Sequence, residues 1–440
     1  MIDEEVERRT MRLVAVRLLP FLLLLYVFNW LDRSNVGIAA LQMNQELHFS
    51  AAAFGFGAGI YFLSYSLFEV PSNLVLARVG ARFWFARIAI SWGLIACAMT
   101  GVRTPGQFYA LRFLLGMAEA GFFPGVVYYL GLWFPTAYRA RALSVFMLGI
   151  PLSQALGASV GGALLGLDGA WQLSGWQWVF LIEGVPSALL GFAVLACLRD
   201  RPDKAHWLTP VQRDWLMQHL AHEQQDNPSS HASAWRALGD PLAWALVLPY
   251  FALCANAYAV TFWGPIMVRD ALGTSNTVTG LVIGSTYLLA ALAYPFCGML
   301  SDRWGDRCAM AVLGLALYGV GGVGMALLPH SPLRVIAVVV AGLGNPVFMA
   351  SFWCLPTTFL KGQPAAAGIA LISSVGTTGG FFGPTIVGFL SDTVGGDTAA
   401  FFGLALLPLV AGLLLLRLRQ TPVFRVSPSP LAPVAHSQRT

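Results

Sequence analysis

The sequence predicts an all-α membrane protein of twelve transmembrane helices, arranged as two pseudo-symmetric six-helix bundles. Three observations predict it. Charged residues make up 11% of the 440-residue chain and hydrophobic residues 57%, with a mean hydropathy of +0.67. Soluble domains carry about a quarter charged residues, so these charges are too few for a soluble surface but enough for the loops of a protein whose belt faces lipid. Apolar runs near the length of about 20 residues that crosses a bilayer recur twelve times. The basic residues divide sharply between the two sides that such runs define.

The runs lie at 16–38, 52–76, 83–102, 106–133, 141–166 and 178–198, and then at 242–268, 278–300, 309–328, 334–360, 366–391 and 399–417. If the N-terminus is cytoplasmic, Arg103, Arg269 and Arg334 are the Lys and Arg residues of the outer loops, Arg33 and Arg112 lie within spans, and the other twenty-one are on the inner side. That bias sets the orientation, with both termini inside. The charge of +5 is spread over short loops rather than gathered in a patch, which speaks against nucleic acid as a partner. The chain therefore divides into an N-terminal bundle (1–198), a cytoplasmic linker (199–240), a C-terminal bundle (241–418) and a Pro- and Ser-rich tail expected to be disordered (419–440). In the linker, Thr209, Pro210 and Gln212 read as the start of a helix, with Trp215, Leu216 and Leu220 on one face. This predicts a short amphipathic helix on the cytoplasmic surface.

Charges inside the spans are the next signal. Asp32 and Arg33 lie late in the first span, Arg112 and Glu119 in the fourth. A charged residue at mid-bilayer costs about 2.5–3.5 kcal/mol on insertion scales, which marks these four as functional candidates. Arg112 and Glu119 are two turns apart on one face, about 10 Å along the axis. The four are expected to form ion pairs across one cavity, the alternative being a static network that holds the helices together. Asn29 falls on the same side as Asp32 and Arg33, and Tyr65 is one turn above Glu69 and placed to face the cavity. Glu69 and Glu183 read as structural hydrogen-bonding groups. The glycines of the fifth span (Gly149, Gly157, Gly161, Gly162) and the eleventh (Gly376, Gly379, Gly380, Gly383, Gly388) predict close helix packing. The six cysteines are scattered without metal-ligand spacing, and neither a P-loop nor a nucleophile constellation is recognisable. Neither an enzyme nor a cofactor-dependent protein is expected.

The run Gly298-Met-Leu-Ser-Asp302-Arg303-Trp-Gly305-Asp-Arg307 matches the GxxxDRxGxR loop of the major facilitator superfamily, and lies where that family has it. Gly298 would let two helices approach, and Asp302 with Arg303, Gly305 and Arg307 would form a conformational latch. The copy in the first half, Asn73 to Arg82, has Ala77 in place of the acid. The stretches 31–47, 68–82, 112–135, 139–142, 175–187 and 379–384 resemble the anion:cation symporter family of that superfamily, nearest to bacterial tartrate- and phthalate-type carboxylate permeases. The resemblance covers nearly the whole chain. It implies a major facilitator fold in a bacterial inner membrane, acting as a monomer on a small organic anion and protons. It also implies that Asp32 and Glu119 carry protons, that Arg33 and Arg112 partner them, with Arg33 the anion contact, and that Tyr65 lines the substrate path. Two departures blur the substrate. Thr377 stands where relatives have Asn in the eleventh span, and the seventh offers Asn256, Tyr258 and Thr261 where some relatives have arginine.

The expected mechanism is alternating access, in which protonation of Glu119 frees an arginine to receive a carboxylate. A carboxylate exchanger or uniporter with static ion pairs is the second reading. A membrane sensor is the third, disfavoured because the short loops leave no room for a signalling domain.

Overall fold

The computed structural model describes residues 2–225, 239–328, 331–359, 363–394, 396 and 398–424. Most of the expected tail (425–440) and part of the linker lie outside the described residues. Twelve helices are long and apolar enough to cross a membrane: Glu4–Glu46, Ala51–Val79, Ala81–Gly101, Pro105–Trp133, Thr136–Leu167, Gly175–Cys197, Pro241–Leu272, Asn276–Trp304, Arg307–Leu327, Arg334–Phe352, Gly368–Val394 and Thr398–Arg419. They are called spans 1 to 12 below. All twelve expected runs appear as helices. The first begins before its apolar stretch, as an unbroken helix from Ile2 to Glu46. The tenth stops at Phe352, earlier than 360, and a short helix then starts at Pro356, since the residue before a proline avoids helical geometry.

Local chemistry sets the ends. Ser50, Thr104, Asp240, Ser275 and Asp306 accept backbone N–H bonds at the starts of spans 2, 4, 7, 8 and 9. Ser174 and Gln177 form a capping box at span 6. Spans 7 and 8 end at Gly273 and Gly305, both left-handed. The outward faces are apolar: in span 8, Leu281, Leu288, Leu292 and Met299 are exposed at helical spacing, as a wall against lipid requires.

Within the first half, span 3 packs on span 6, span 2 on span 4, and span 1 on spans 5 and 6; in the second, span 9 packs on spans 10 and 12. The halves meet through spans 2 and 11, 5 and 8, and 1 and 7. These seams are closest at the end of the molecule remote from the termini, the distal end. A Cβ on Gly162 would lie 2.8 Å from the Cα of Gly280, and one on Gly55 would lie 2.3 Å from the carbonyl oxygen of Pro384. The small residues of spans 5 and 11 thus bring backbones together as expected. Polar contacts secure the same end. Asp392 accepts from Ala51 N (3.1 Å) and Ala52 N (2.8 Å) at the start of span 2, and Arg269 Nη1 donates to Leu41 O (2.6 Å) near the end of span 1. Both match the helix dipole they touch.

The linker forms a helix at Pro210–Gln225 with the expected Thr209–Gln212 cap. Its apolar face is not left for the membrane surface. Trp215 and Leu216 are buried against the protein, the helix packs on span 1, and Glu223 accepts from Thr136 N at 2.8 Å.

Candidate functional site

Span 1 presents two polar faces because each residue turns the helix by about 100°. Asn29 and Arg33, one turn apart, look toward spans 2 and 4. Asp32 and Asn35 look toward span 6. Glu119 of span 4 is the centre of the first face. Its Oε2 accepts from Asn29 Nδ2 at 2.6 Å, Tyr61 Oη at 2.6 Å and Arg33 Nε at 3.2 Å. Glu119 and Asn29 are fully buried and Arg33 nearly so. Three donors, one of them a guanidinium, offset much of the cost of placing a carboxylate away from water.

The Arg33 guanidinium lies among aromatic rings, 5.2 Å from the Trp30 centroid, 5.5 Å from Tyr61 and 4.6 Å from Tyr65. Tyr258, from the second half, is within electrostatic reach of it and stacks on Phe62 at 4.0 Å. The residue therefore sits where the two halves face each other. Its Nη2 and the Oε1 of Glu119 have no hydrogen-bond partner. A guanidinium with a spare donor in an aromatic cage can receive a carboxylate oxygen.

The expected four-residue ion-pair network does not form. Arg112 is fully buried, and its Nη2 donates to Ala58 O at 3.1 Å. Its guanidinium stands 4.8 Å from the Tyr61 centroid, and its Nε and Nη1 lack partners. Two turns of helix keep it from Glu119. Asp32 forms no ion pair among the described residues; its nearest donor is Ser187 Oγ of span 6, at 3.4 Å. Beside it Asn35 Nδ2 donates to Glu183 Oε2 at 2.7 Å. Glu69 accepts from Ser374 Oγ of span 11 at 3.2 Å, the hydrogen-bonding place expected of it.

Other expected residues lie apart. Asn256 gives its amide to Ala252 O (2.9 Å) and Leu404 O (3.4 Å), which ties spans 7 and 12 together instead of facing Arg33. Thr377 adjoins Tyr250, the ring against Gly376. In the 298–307 loop, Arg307 Nη2 pairs with Asp302 at 2.7 Å and Gly305 supplies the left-handed turn. Arg303 is exposed. One expectation fails there. A Cβ on Gly298 would meet nothing within 4 Å, so it mediates no close helix approach. Asp302 pairs with a nearby arginine, Arg307, within its own loop. It is Asp306 that reaches another helix, pairing with Arg419 Nε of span 12 at 2.6 Å.

Two features escaped the sequence reading. Tyr61 joins both arginines to Glu119; its place one turn before Tyr65 was the available signal. The other is a break in span 4, where helix Pro105–Glu119 ends and Phe122–Trp133 begins. Gly121 has φ +83°, and a Cβ there would lie 2.6 Å from Ser72 Oγ, so only glycine fits. Arg87 Nη1 donates to the freed Ala118 carbonyl at 3.1 Å.

Two clefts, of about 340 and 440 Å³, lie elsewhere. One is on the apolar wall of span 8; the other, at the distal end, is lined by Gln42, Glu46, Asp168 and Arg269.

Paired helical halves around a buried cluster of opposite charges define a multi-pass membrane transporter. The profile of the Major Facilitator Superfamily matches residues 22–275 and 250–437, and the chain belongs to that family. It is 42% identical to an Agrobacterium vitis protein named "Putative tartrate transporter", over 96% of this chain and 93% of that one. It is 38% identical to a "Quinolone resistance transporter" of Acinetobacter baumannii, over 92% and 93%. The fold is also that of a bacterial homolog of the human lysosomal transporter Spinster, with a TM-score of 0.77 at 17% identity over 93% of this chain and 98% of that one. The expected likeness to tartrate-type permeases holds.

Proposed function

We propose that the protein couples inward movement of protons to uptake of a small organic anion, a carboxylate such as tartrate, a sugar acid or an aromatic acid. The observation that carries this reading is the Glu119–Arg33 pair, with its unpartnered Nη2 and Oε1 between the two halves. In the ionised pair the charges satisfy one another. A proton on Glu119 removes the negative charge and leaves Arg33 to hold the carboxylate of the cargo. Loss of both on the other side restores the pair. The coupling follows from one guanidinium serving two anions in turn. Tyr65 and Tyr258 form walls of the same place, Tyr61 and Asn29 hold Glu119 in position, and Arg112 supplies positive potential behind Tyr61.

The relatives named for tartrate support the substrate class. The distribution of basic residues supports both termini in the cytoplasm of a bacterial inner-membrane protein. The bundles 1–198 and 241–418 are the rocking units, joined by the linker 199–240. Asp302 and Arg307, in the loop between spans 8 and 9, set the balance between access states. The protein acts as a monomer.

The test is uptake into proteoliposomes of the purified full-length protein, with labelled tartrate, sugar acids, aromatic acids and a quinolone, with and without an inward proton gradient. Accumulation of one carboxylate only with the gradient is the expected result. Counterflow unaffected by pH would instead favour exchange without protons.

A further inference from the structure

We propose that Asp392, at the end of span 11, is a reversible clasp that keeps the distal end shut by capping the start of span 2 across the two halves; this rests on the rocking of the bundles proposed above. The first N–H groups of a helix have no partner within it. At the start of span 2, Ala53 N finds a local one, Ser50 Oγ at 3.1 Å. Ala51 N and Ala52 N instead cross to the second half, where they donate to Asp392 Oδ1 at 3.1 Å and Oδ2 at 2.8 Å. Each oxygen of one carboxylate thus takes one backbone N–H, and its charge faces the positive end of the helix dipole. So short a side chain reaches because the backbones touch there. Gly388 lies one turn before Asp392, and a Cβ on it would stand 2.2 Å from Ala51 O. A Cβ on Gly59, two turns into span 2, would stand 2.7 Å from Phe381 O.

Its surroundings make this contact one that can open. Asp392 and Ser50 are exposed, and Ala51 and Ala52 are half-buried. When the seam parts, the carboxylate and both N–H groups reach water together. None is left buried without a partner, which is the condition that makes breaking an interior pair costly. The neighbouring aromatic contacts between the halves, Phe54 with Trp263 at 5.5 Å and Phe56 with Phe381 at 5.8 Å, add apolar area but fix no register. Arg269 makes the complementary contact: its Nη1 donates to Leu41 O at 2.6 Å, near the negative end of span 1. An anion on a helix start and a cation near a helix end therefore oppose the same opening. Farther along the seam of spans 2 and 11, Glu69 and Ser374 share a 3.2 Å bond. Asp392 lies at the outermost end of that seam, where rocking separates the two helices farthest.

Double electron–electron resonance on the full chain in lipid nanodiscs tests the clasp without any substrate. Nitroxides are placed on Arg103→Cys in the first half and Thr398→Cys in the second, both exposed at the distal end, with the six native cysteines replaced by alanine. This parent is expected to show mainly a short distance and a minor longer one. Asp392→Ala should raise the ratio of long to short by about 2- to 5-fold, the range for one charge at a helix end. Arg269→Met should act in the same direction, and the two effects should multiply in the double variant. Thr393→Ala should leave the ratio unchanged, because that hydroxyl bonds to Phe389 O and Leu390 O of its own helix. Asp392→Asn keeps the shape and loses the charge; it should raise the ratio less than Asp392→Ala, and it decides the matter if the alanine variant does not fold. A longer distance that is present in the parent but does not grow in either Asp392 variant overturns the clasp and leaves the rocking intact. A single short distance in the parent and in every variant overturns both.

Discussion

The two polar faces of span 1 start from adjacent residues, Arg33 and Asp32, and are opposite in design. On one, Glu119 receives three donors, including the Arg33 guanidinium. On the other, Asp32 and Glu183 share two short-chain donors and no cation. The contrast teaches how one helix can offer different partners to acids on two neighbouring helices, Glu119 of span 4 and Glu183 of span 6. A carboxylate beside a guanidinium is poised to stay charged until a competing anion claims the guanidinium. Asp32 and Glu183 have only the Ser187 hydroxyl and the Asn35 amide as side-chain donors. Both sites are buried, and the neighbour of each acid, a guanidinium or a second acid, is what distinguishes them.

Substitutions can break that contrast. Arg33→Ala should have the largest effect, since stripping one partner from a buried pair costs about 3–5 kcal/mol. Carboxylate uptake should fall at least about 100-fold by that scale, with a lower melting temperature of the purified protein, and Arg33→Lys should recover only part of it. Glu119→Gln should keep exchange in a counterflow assay while abolishing the stimulation by an inward proton gradient. Retained stimulation would place the coupling elsewhere, and the contrast between the faces would lose its meaning. Tyr61→Phe removes one of three donors to a carboxylate, worth about 1.5–3 kcal/mol, and should weaken uptake by about 12- to 160-fold. Tyr65→Phe keeps its ring over Arg33 and should do less. Asp302→Asn removes an exposed pair worth at most about 1 kcal/mol, so uptake at saturating substrate should change by no more than about 5-fold. Ser187→Ala deletes only the 3.4 Å contact to Asp32 and one bond within its own helix, and uptake should stay within about 2-fold.

Much of this was legible in the sequence, for physical reasons. Twelve spans follow from hydrophobic length, and Asp32, Arg33, Arg112 and Glu119 stand out because charge is costly in lipid. The pairing was not legible. Helical spacing placed Arg112 and Glu119 on one face, but which guanidinium reaches the carboxylate depends on how spans 1, 2 and 4 cross. Tyr61 is placed by its spacing to Tyr65, but an apolar span with a tyrosine gives no sign of where the hydroxyl points. Asn256 looked like a substrate contact and instead bonds two backbone carbonyls. Gly298 matched a motif whose packing purpose it does not serve, since its neighbourhood is open. Motif position carries over between relatives more readily than the contact that gave it meaning.

The interruption at Ala120–Gly121 has a bearing on how Glu119 can be steered. A side chain in mid-helix is aimed by the whole rod and turns only when the rod turns. Glu119 occupies the last helical position before a left-handed glycine, with the loosened carbonyl tethered by Arg87 from span 3. Its direction is set by the torsions of two residues and one guanidinium bond. A small swivel there could redirect the carboxyl group without dragging either half of span 4.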